Sequence, residues 1–170
     1  MRQVTFSILE RTVLIPVELS HLPKPTFWVL LAVFFLSGIG TNIFSLNDAW
    51  YRGLMALTAY VGGILAGAVA APILLPWIPG RAFALKGAFT GIVAGSAVLL
   101  LFKGGLIWIE AVALLFITVG ISSYLAMNFT GSTPYTSPSG VEKEMRRAIP
   151  LQAGAVVIAL VAWVGAAFAG

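Results

Sequence analysis

The sequence predicts an all-α membrane protein, a bundle of five transmembrane helices with a cytoplasmic N-terminus and its C-terminus on the opposite side. Of the 170 residues, 59% are hydrophobic and only 9% are charged, whereas a soluble domain carries about 25% charged residues. So few charges cannot cover the surface of a soluble fold, and the solvent of this chain must therefore be mostly lipid.

Five windows are apolar over the roughly 20 residues that a helix needs to cross a hydrocarbon core of about 30 Å. These windows are 26–44, 54–77, 82–102, 106–127 and 149–169. The segment 1–25 is interrupted by charges and prolines, so we expect it to lie along the cytoplasmic interface or to continue a link to a soluble part. Residues 26–170 are then the transmembrane domain, with a polar cytoplasmic loop and a short amphipathic helix at 128–149.

Positive charges are distributed unequally between the two ends of the predicted spans. One end holds Arg2, Arg11, Lys24, Arg81, Lys143, Arg146 and Arg147, and the other holds Arg52 and Lys103. Because basic loops remain in the cytoplasm, this bias places the N-terminus and 128–149 on the cytoplasmic side. It predicts a multi-pass protein of the cytoplasmic (inner) membrane.

The composition also excludes several kinds of site. Cysteine is absent and His21 is the single histidine, which removes thiol nucleophiles, iron–sulfur clusters and His-rich metal sites. No nucleophile, base and orienting group can be assembled from the remaining residues. We therefore expect no catalytic residue, no metal ligand, no cofactor bound by this chain alone and no nucleic acid partner.

Glycines recur at four-residue spacing in two of the predicted spans. They are Gly63 and Gly67 in the second, and Gly87, Gly91 and Gly95 in the third. Such spacing lets helix backbones approach closely where lipid supplies no hydrophobic drive. The pattern favours tight packing within the chain, and a homo-oligomer face is the alternative.

Two ionisable side chains, Lys86 and Glu110, fall inside predicted spans and are functional suspects for that reason. They lie near opposite ends of neighbouring helices, on the order of 15–20 Å apart along the membrane normal, so we do not expect them to pair. Lys86 is expected to extend to the cytoplasmic surface. Glu110 is expected to pair with Arg52 or Lys103.

Large aromatic residues lie mostly near the predicted span ends, as in an interfacial belt. They are Trp28, Trp50, Tyr51, Trp77, Trp108 and Trp163. The sequence assigns them no further role.

The second half of the polar stretch "MNFTGSTPYTSPSGVEKEMRR" (127–147) has the pattern of a short surface helix. Ser139 and Glu142 form a capping box, and Ser137 before Pro138 offers an alternative start. Glu142 and Arg146 are four residues apart in the favourable order. The apolar face of this helix, which could rest on the membrane, comprises Val141, Met145 and Ala148. Pro150 should then kink the chain into the last span.

The first half of the stretch carries amide, hydroxyl and phenol groups beside glycines, which can bind anions or dock a partner. From the residues alone, a connecting loop and a partner-docking surface are equally supported, and a small-molecule site is less supported than either. The predicted docking residues all lie in this polar stretch: Asn128, Phe129, Thr130, Gly131, Tyr135, Thr136, Ser137, Gly140, Arg146 and Arg147.

The segment "LAMNFTGSTPYTSPSGVEKEMRRAIPLQ" (125–152) resembles the region before the last helix in the membrane half of the corrinoid protein of microbial mercury methylation. "ERTVLIPVEL" (10–19) resembles the join between that family's soluble corrinoid domain and its first membrane helix. The similarity covers nearly the whole chain. The family's corrinoid-binding motif, Asn-Val/Ile-Trp-Cys-Ala-Ala-Gly-Lys, is absent from this sequence, as are the cluster ligands of the ferredoxin that supplies electrons.

The resemblance implies a membrane anchor and docking module that positions a cytoplasmic corrinoid (cobalamin) methyl carrier, with methyl transfer to Hg(II) performed by that partner or missing domain. A ferredoxin-like electron donor would be a second partner. The chain would be the membrane part of a methyltransferase system and not catalytic alone, whether as a stand-alone homologue, half of a split protein or an excised domain. The alternative is a small permease or channel subunit with a path along Glu110, Lys86 and the glycine-lined helices.

Overall fold

The computed structural model describes residues 12–13, 15–16, 19–20, 22–41, 43–79, 82–131 and 138–169. Helices dominate these residues: α1 (Pro23–Gly38), α2 (Leu46–Leu74), α3 (Phe83–Phe102), α4 (Trp108–Gly131) and α5 (Pro138–Ala166). A small antiparallel ribbon, β1 (Ile39–Gly40) and β2 (Ile43–Phe44), joins α1 to α2. Within the described residues, four helices are long and apolar enough to cross a membrane, and α1 is a shorter apolar helix. The protein is thus a multi-pass, helical membrane protein. Most of the N-terminal segment 1–25 lies outside the described residues.

The first predicted span is shorter than expected. α1 has 16 residues and ends at Gly38, so at 1.5 Å per residue it is about 24 Å long, against a hydrocarbon core of about 30 Å. After Gly38 the chain enters the ribbon, and the Phe44 ring packs so close to Gly38 that a Cβ at this position would overlap it. The prediction of helix up to residue 44 is wrong.

The second span begins earlier than predicted, at Leu46. Ser45 caps the helix, since its hydroxyl oxygen accepts a hydrogen bond from the Asp48 backbone amide at 3.3 Å. The sequence had placed Arg52 in a loop before the second span. In the structure it lies inside α2. The helix widens into one π-helical stretch at Leu65–Ala70, just before Pro72, whose ring would otherwise press on the carbonyl four residues back.

The third and fourth spans form an antiparallel pair, with α4 at the centre of the bundle against α2, α3 and α5. Glycines bring the two backbones together: a Cβ at Gly91 would lie 2.8 Å from the Val119 Cα. The same closeness lets the Ser122 hydroxyl donate to the Gly87 carbonyl at 2.6 Å. The glycine faces are occupied inside the chain, which confirms the prediction of tight intramolecular packing.

The last span differs most from its prediction. α5 is one helix of 29 residues that begins at Pro138 and contains Pro150, where a short surface helix and a separate span at 149–169 were expected. The start at Pro138 agrees with the alternative Ser137–Pro138 start, since proline is well placed in a first helical turn. Ser139 lies inside the helix, so the capping box at that residue is wrong.

The apolar face predicted to rest on the membrane packs partly against the bundle. Ala148 is buried in a small cluster with Ala84 of α3 and Met127 of α4, while Met145 stays 38% exposed. A larger core lies deeper, where α2, α3, α4 and α5 meet; its buried residues are Met55, Ala56, Ala59, Val98, Ala113, Leu114 and Trp163.

Candidate functional site

Two polar assemblies occupy opposite ends of the bundle, and Arg52 centres the first. Its Nε donates to Glu110 Oε1 at 2.9 Å, its Nη1 donates to the Ser37 carbonyl at 3.3 Å, and its Nη2 donates to the Trp163 carbonyl. Arg52 and Glu110 are 8% and 6% exposed, so the ion pair is buried. The predicted pairing of Glu110 with Arg52 is confirmed.

Each partner of Arg52 belongs to a helix terminus. The Ser37 and Trp163 carbonyls lie in the last turns of α1 and α5, where carbonyls lack a partner within their own helix. Glu110 lies in the first turn of α4 and accepts from the Ile107 amide at 3.4 Å, as a carboxylate does at a helix N-terminus. One arginine on α2 therefore ties three other helices together, which is a structural role.

Trp163 belongs to this assembly. The prediction that it is part of an interfacial aromatic belt is wrong. It is 2% exposed, its Nε1 donates to the Ser37 Oγ at 3.0 Å, and its ring centroid lies 4.7 Å from the Arg52 guanidinium carbon. This distance is that of a cation–π contact. The other aromatics of the predicted belt are exposed, as such a belt requires: Trp28, Trp50, Tyr51, Trp77 and Trp108.

The second assembly surrounds the start of α3. Lys86 Nζ donates to the Leu75 carbonyl at 2.6 Å, which adds a cation to the C-terminal end of α2. Glu144 of α5 accepts from the Ala84 backbone amide at 2.7 Å, which adds a carboxylate at the N-terminus of α3. The acceptor of Lys86 is thus a backbone carbonyl at the same end of the bundle as the start of α3. Lys86 and Glu110 do not pair, which agrees with the prediction.

A chain of hydrogen bonds continues from Ala84 into the bundle. The Ser123 hydroxyl donates to the Ala84 carbonyl at 2.9 Å. Because that hydroxyl has used its proton, it can only accept from Gln152, whose Nε2 lies 3.0 Å away. This arrangement fixes the orientation of the Gln152 amide. Its Oε1 is buried and has no hydrogen-bond partner in the part of the chain that the structure describes.

A groove of about 1170 Å³ lies beside this hydrogen-bonded chain. Its floor is α4, at Val119, Gly120 and Ser123, and its walls are the N-terminal parts of α3 and α5. α4 packs extensively against both walls, while α3 and α5 have little direct contact along the described residues. The groove therefore has mainly apolar walls and a polar side formed by Lys143, Glu144, Arg147 and Gln152.

The structure divides the predicted docking residues. Gly140 and Arg147 line the groove, and Arg146 forms an exposed ion pair with Glu142 at 2.8 Å, as its spacing predicted. The segment Asn128–Gly131 belongs to the last turn of α4 and not to a loop; Asn128 there is half-buried. Tyr135, Thr136 and Ser137 lie outside the described residues.

Sequence reasoning missed Gln152, Ser123 and Glu144. A glutamine inside an otherwise apolar span was a visible signal, because a buried amide requires partners. Its partner Ser123 was not predictable, since the contact depends on how α4 and α5 face each other. Among the described residues, no group of three or more His, Cys, Asp or Glu side chains is placed to hold a metal ion.

Comparisons of the chain with protein-family models, curated proteins and solved structures find no match.

Proposed function

We propose that this chain is a membrane anchor and docking module that positions a cytoplasmic corrinoid methyl carrier beside the inner membrane. In this proposal α1 completes a five-helix bundle, the start of α5 faces the cytoplasm and the end of α5 faces the opposite side. The carrier would transfer the methyl group to Hg(II), and a ferredoxin-like protein would reduce it. This chain contributes position and not chemistry.

The observation that carries the proposal is the continuity of α5. The helix has 29 residues, or about 44 Å, which exceeds a hydrocarbon core of about 30 Å by roughly nine residues. The excess matches the charged first turns, where Glu142, Lys143, Arg146 and Arg147 are exposed. Further along the same helix, Ala148 and Gln152 are buried. A partner on the charged turns would therefore be joined to the bundle without a flexible connection.

The tie between α5 and α3 supports the same proposal. Glu144 holds the first turn of α3, and Gln152 holds α4 through Ser123. These bonds fix the rotation of the charged turns about the α5 axis. A docking surface needs such fixed orientation, because a surface on a flexible loop loses conformational entropy when it binds.

The permease alternative has less support from the positions of the ionisable groups. Lys86 is bonded at one end of the bundle, and the Arg52–Glu110 pair lies at the other. A proton or ion path would need such groups in sequence between those ends. Ion flux in proteoliposomes that Glu110→Gln abolishes while the protein stays folded would favour the permease over the anchor.

The docking proposal is tested by purification from native membranes in a mild detergent. We expect a corrinoid protein to accompany the chain, identified by its visible absorption spectrum and its mass. Alanine replacements at Asn128, Phe129 and Thr130 should remove it, while α4 remains helical because alanine is a strong helix former.

A matched control changes the opposite end of α4, with Ile107→Ala in the residue before the helix and Trp108→Ala in its first residue. Both side chains are exposed, and these changes should leave the corrinoid protein bound. Recovery of the chain from native membranes without any corrinoid, or equal loss from the control, would contradict the proposal.

A further inference from the structure

We propose that the groove between α3 and α5 binds an anionic phospholipid, of which phosphatidylglycerol is an example. Lys143 and Arg147 hold the phosphate, and the acyl chains follow the apolar walls. This site goes beyond the docking function and does not depend on a soluble partner.

The shape of the groove fits an amphiphile that enters from the side. α4 forms the floor, and the two walls separate towards the surrounding lipid because α3 and α5 have little direct contact there. Leu85 on one wall and Leu151 on the other are 67% and 75% exposed. The volume of the groove, about 1170 Å³, exceeds that of most small-molecule pockets, which span roughly 300–1,000 Å³.

The charges at the rim favour an anion. Lys143 and Arg147 are four residues apart on one face of α5, and both line the groove. Neither has a hydrogen bond or ion pair with any residue that the structure describes. Of the nearest carboxylates, Glu142 pairs with Arg146, and Glu144, which also lines the groove, accepts from the Ala84 amide. Two cations and one carboxylate leave a net positive charge beside an apolar groove, which matches the phosphate of a lipid.

Binding can be measured by native mass spectrometry of the purified chain in an uncharged detergent, titrated with phosphatidylglycerol, phosphatidic acid and phosphatidylcholine. We expect one tightly bound phosphatidylglycerol or phosphatidic acid, and weaker binding of phosphatidylcholine, which has no net charge. Inorganic phosphate and glycerol phosphate, added at the same concentration, should not displace it, because they lack acyl chains. Displacement by either would overturn the assignment to a lipid.

Charge variants test the rim. Arg147→Gln should weaken phosphatidylglycerol binding about five-fold, and Lys143→Gln with Arg147→Gln about 25-fold, since each basic residue contributes about 1 kcal/mol. Arg146→Gln removes the same charge one residue away, outside the groove, and should leave binding unchanged. An equal loss from Arg146→Gln would mean general attraction to a basic surface and would overturn the proposal.

One further variant tests the interior without changing charge. Ala88→Phe fills the groove from the α3 wall and should abolish binding, while thermal unfolding confirms that the variant is folded. Unchanged binding by Ala88→Phe would place the lipid elsewhere and overturn the proposal.

Discussion

Removing the Glu110 carboxylate should destabilise the bundle more than any change at an exposed charge. In Glu110→Gln, the shape of the side chain is kept, but Arg52, which is 8% exposed, becomes a buried cation without a counter-ion. Breaking a buried ion pair from one side costs about 3–5 kcal/mol. We expect a loss of that size in the free energy of unfolding.

Arg52→Met should cost more than Glu110→Gln, because three hydrogen bonds disappear together with the cation–π contact to Trp163. Glu110 loses its counter-ion, and the carbonyls of Ser37 and Trp163 lose their donor. Each buried carbonyl without a partner adds about 1–3 kcal/mol. The double variant, Arg52→Met with Glu110→Gln, should be more stable than the sum of the single effects predicts, since no uncompensated charge remains.

The measurement is equilibrium unfolding in mixed micelles, with secondary structure followed by circular dichroism. Lys103→Gln serves as the control, because it removes an exposed cation at the same end of the bundle and should change stability by no more than about 0.5 kcal/mol. A loss below about 1 kcal/mol in Glu110→Gln, or strict additivity in the double variant, would refute the reasoning.

Four other substitutions test the packing of the helices, the start of α3 and the ribbon between α1 and α2. Gly91→Ala should cost about 1–3 kcal/mol in unfolding experiments because its Cβ would meet the α4 backbone, whereas Gly154→Ala, with open space around it, should stabilise by about 0.5–1 kcal/mol; equal effects would contradict the packing. Glu144→Gln should weaken the start of α3 by about 0.3–1 kcal/mol, seen as faster hydrogen exchange at the Ala84 amide, and unchanged exchange would show that the contact contributes nothing. Ile43→Asn should raise the melting temperature, since Ile43 has a φ of 67° that asparagine tolerates better; a lower melting temperature would argue against that backbone conformation.

The existence of the helices could be predicted because it follows from composition, but several boundaries could not. Apolar windows identify α3 within one residue, as its ends coincide with polar turns. α2 begins eight residues before its prediction, at Leu46 instead of residue 54, and the Ser45 hydroxyl caps it by accepting from the Asp48 amide. α5 passes through Pro150, since packing of one helix face can outweigh the loss of one backbone bond.

The candidate site was only partly visible in the sequence. The pairing of Glu110 with Arg52 could be predicted because few charges lay near that end of the spans. Trp163 could not be placed, since position along the chain says little about which face of a helix meets its neighbours. The partner of Gln152 was equally hidden, because the contact with Ser123 depends on the rotation of two helices about their axes.

The π-helical stretch of α2 has a consequence for how this helix could vary between related chains. A π turn holds one residue more than the α-helix around it, and here it lies at Leu65–Ala70. Deleting one residue from this stretch would convert it to regular α-helix. The faces before and after it would then keep their neighbours, with Arg52 and Gly63 still directed into the bundle. A relative one residue shorter at this point would therefore share the fold, although a shortening elsewhere in α2 would rotate half of its buried face into lipid.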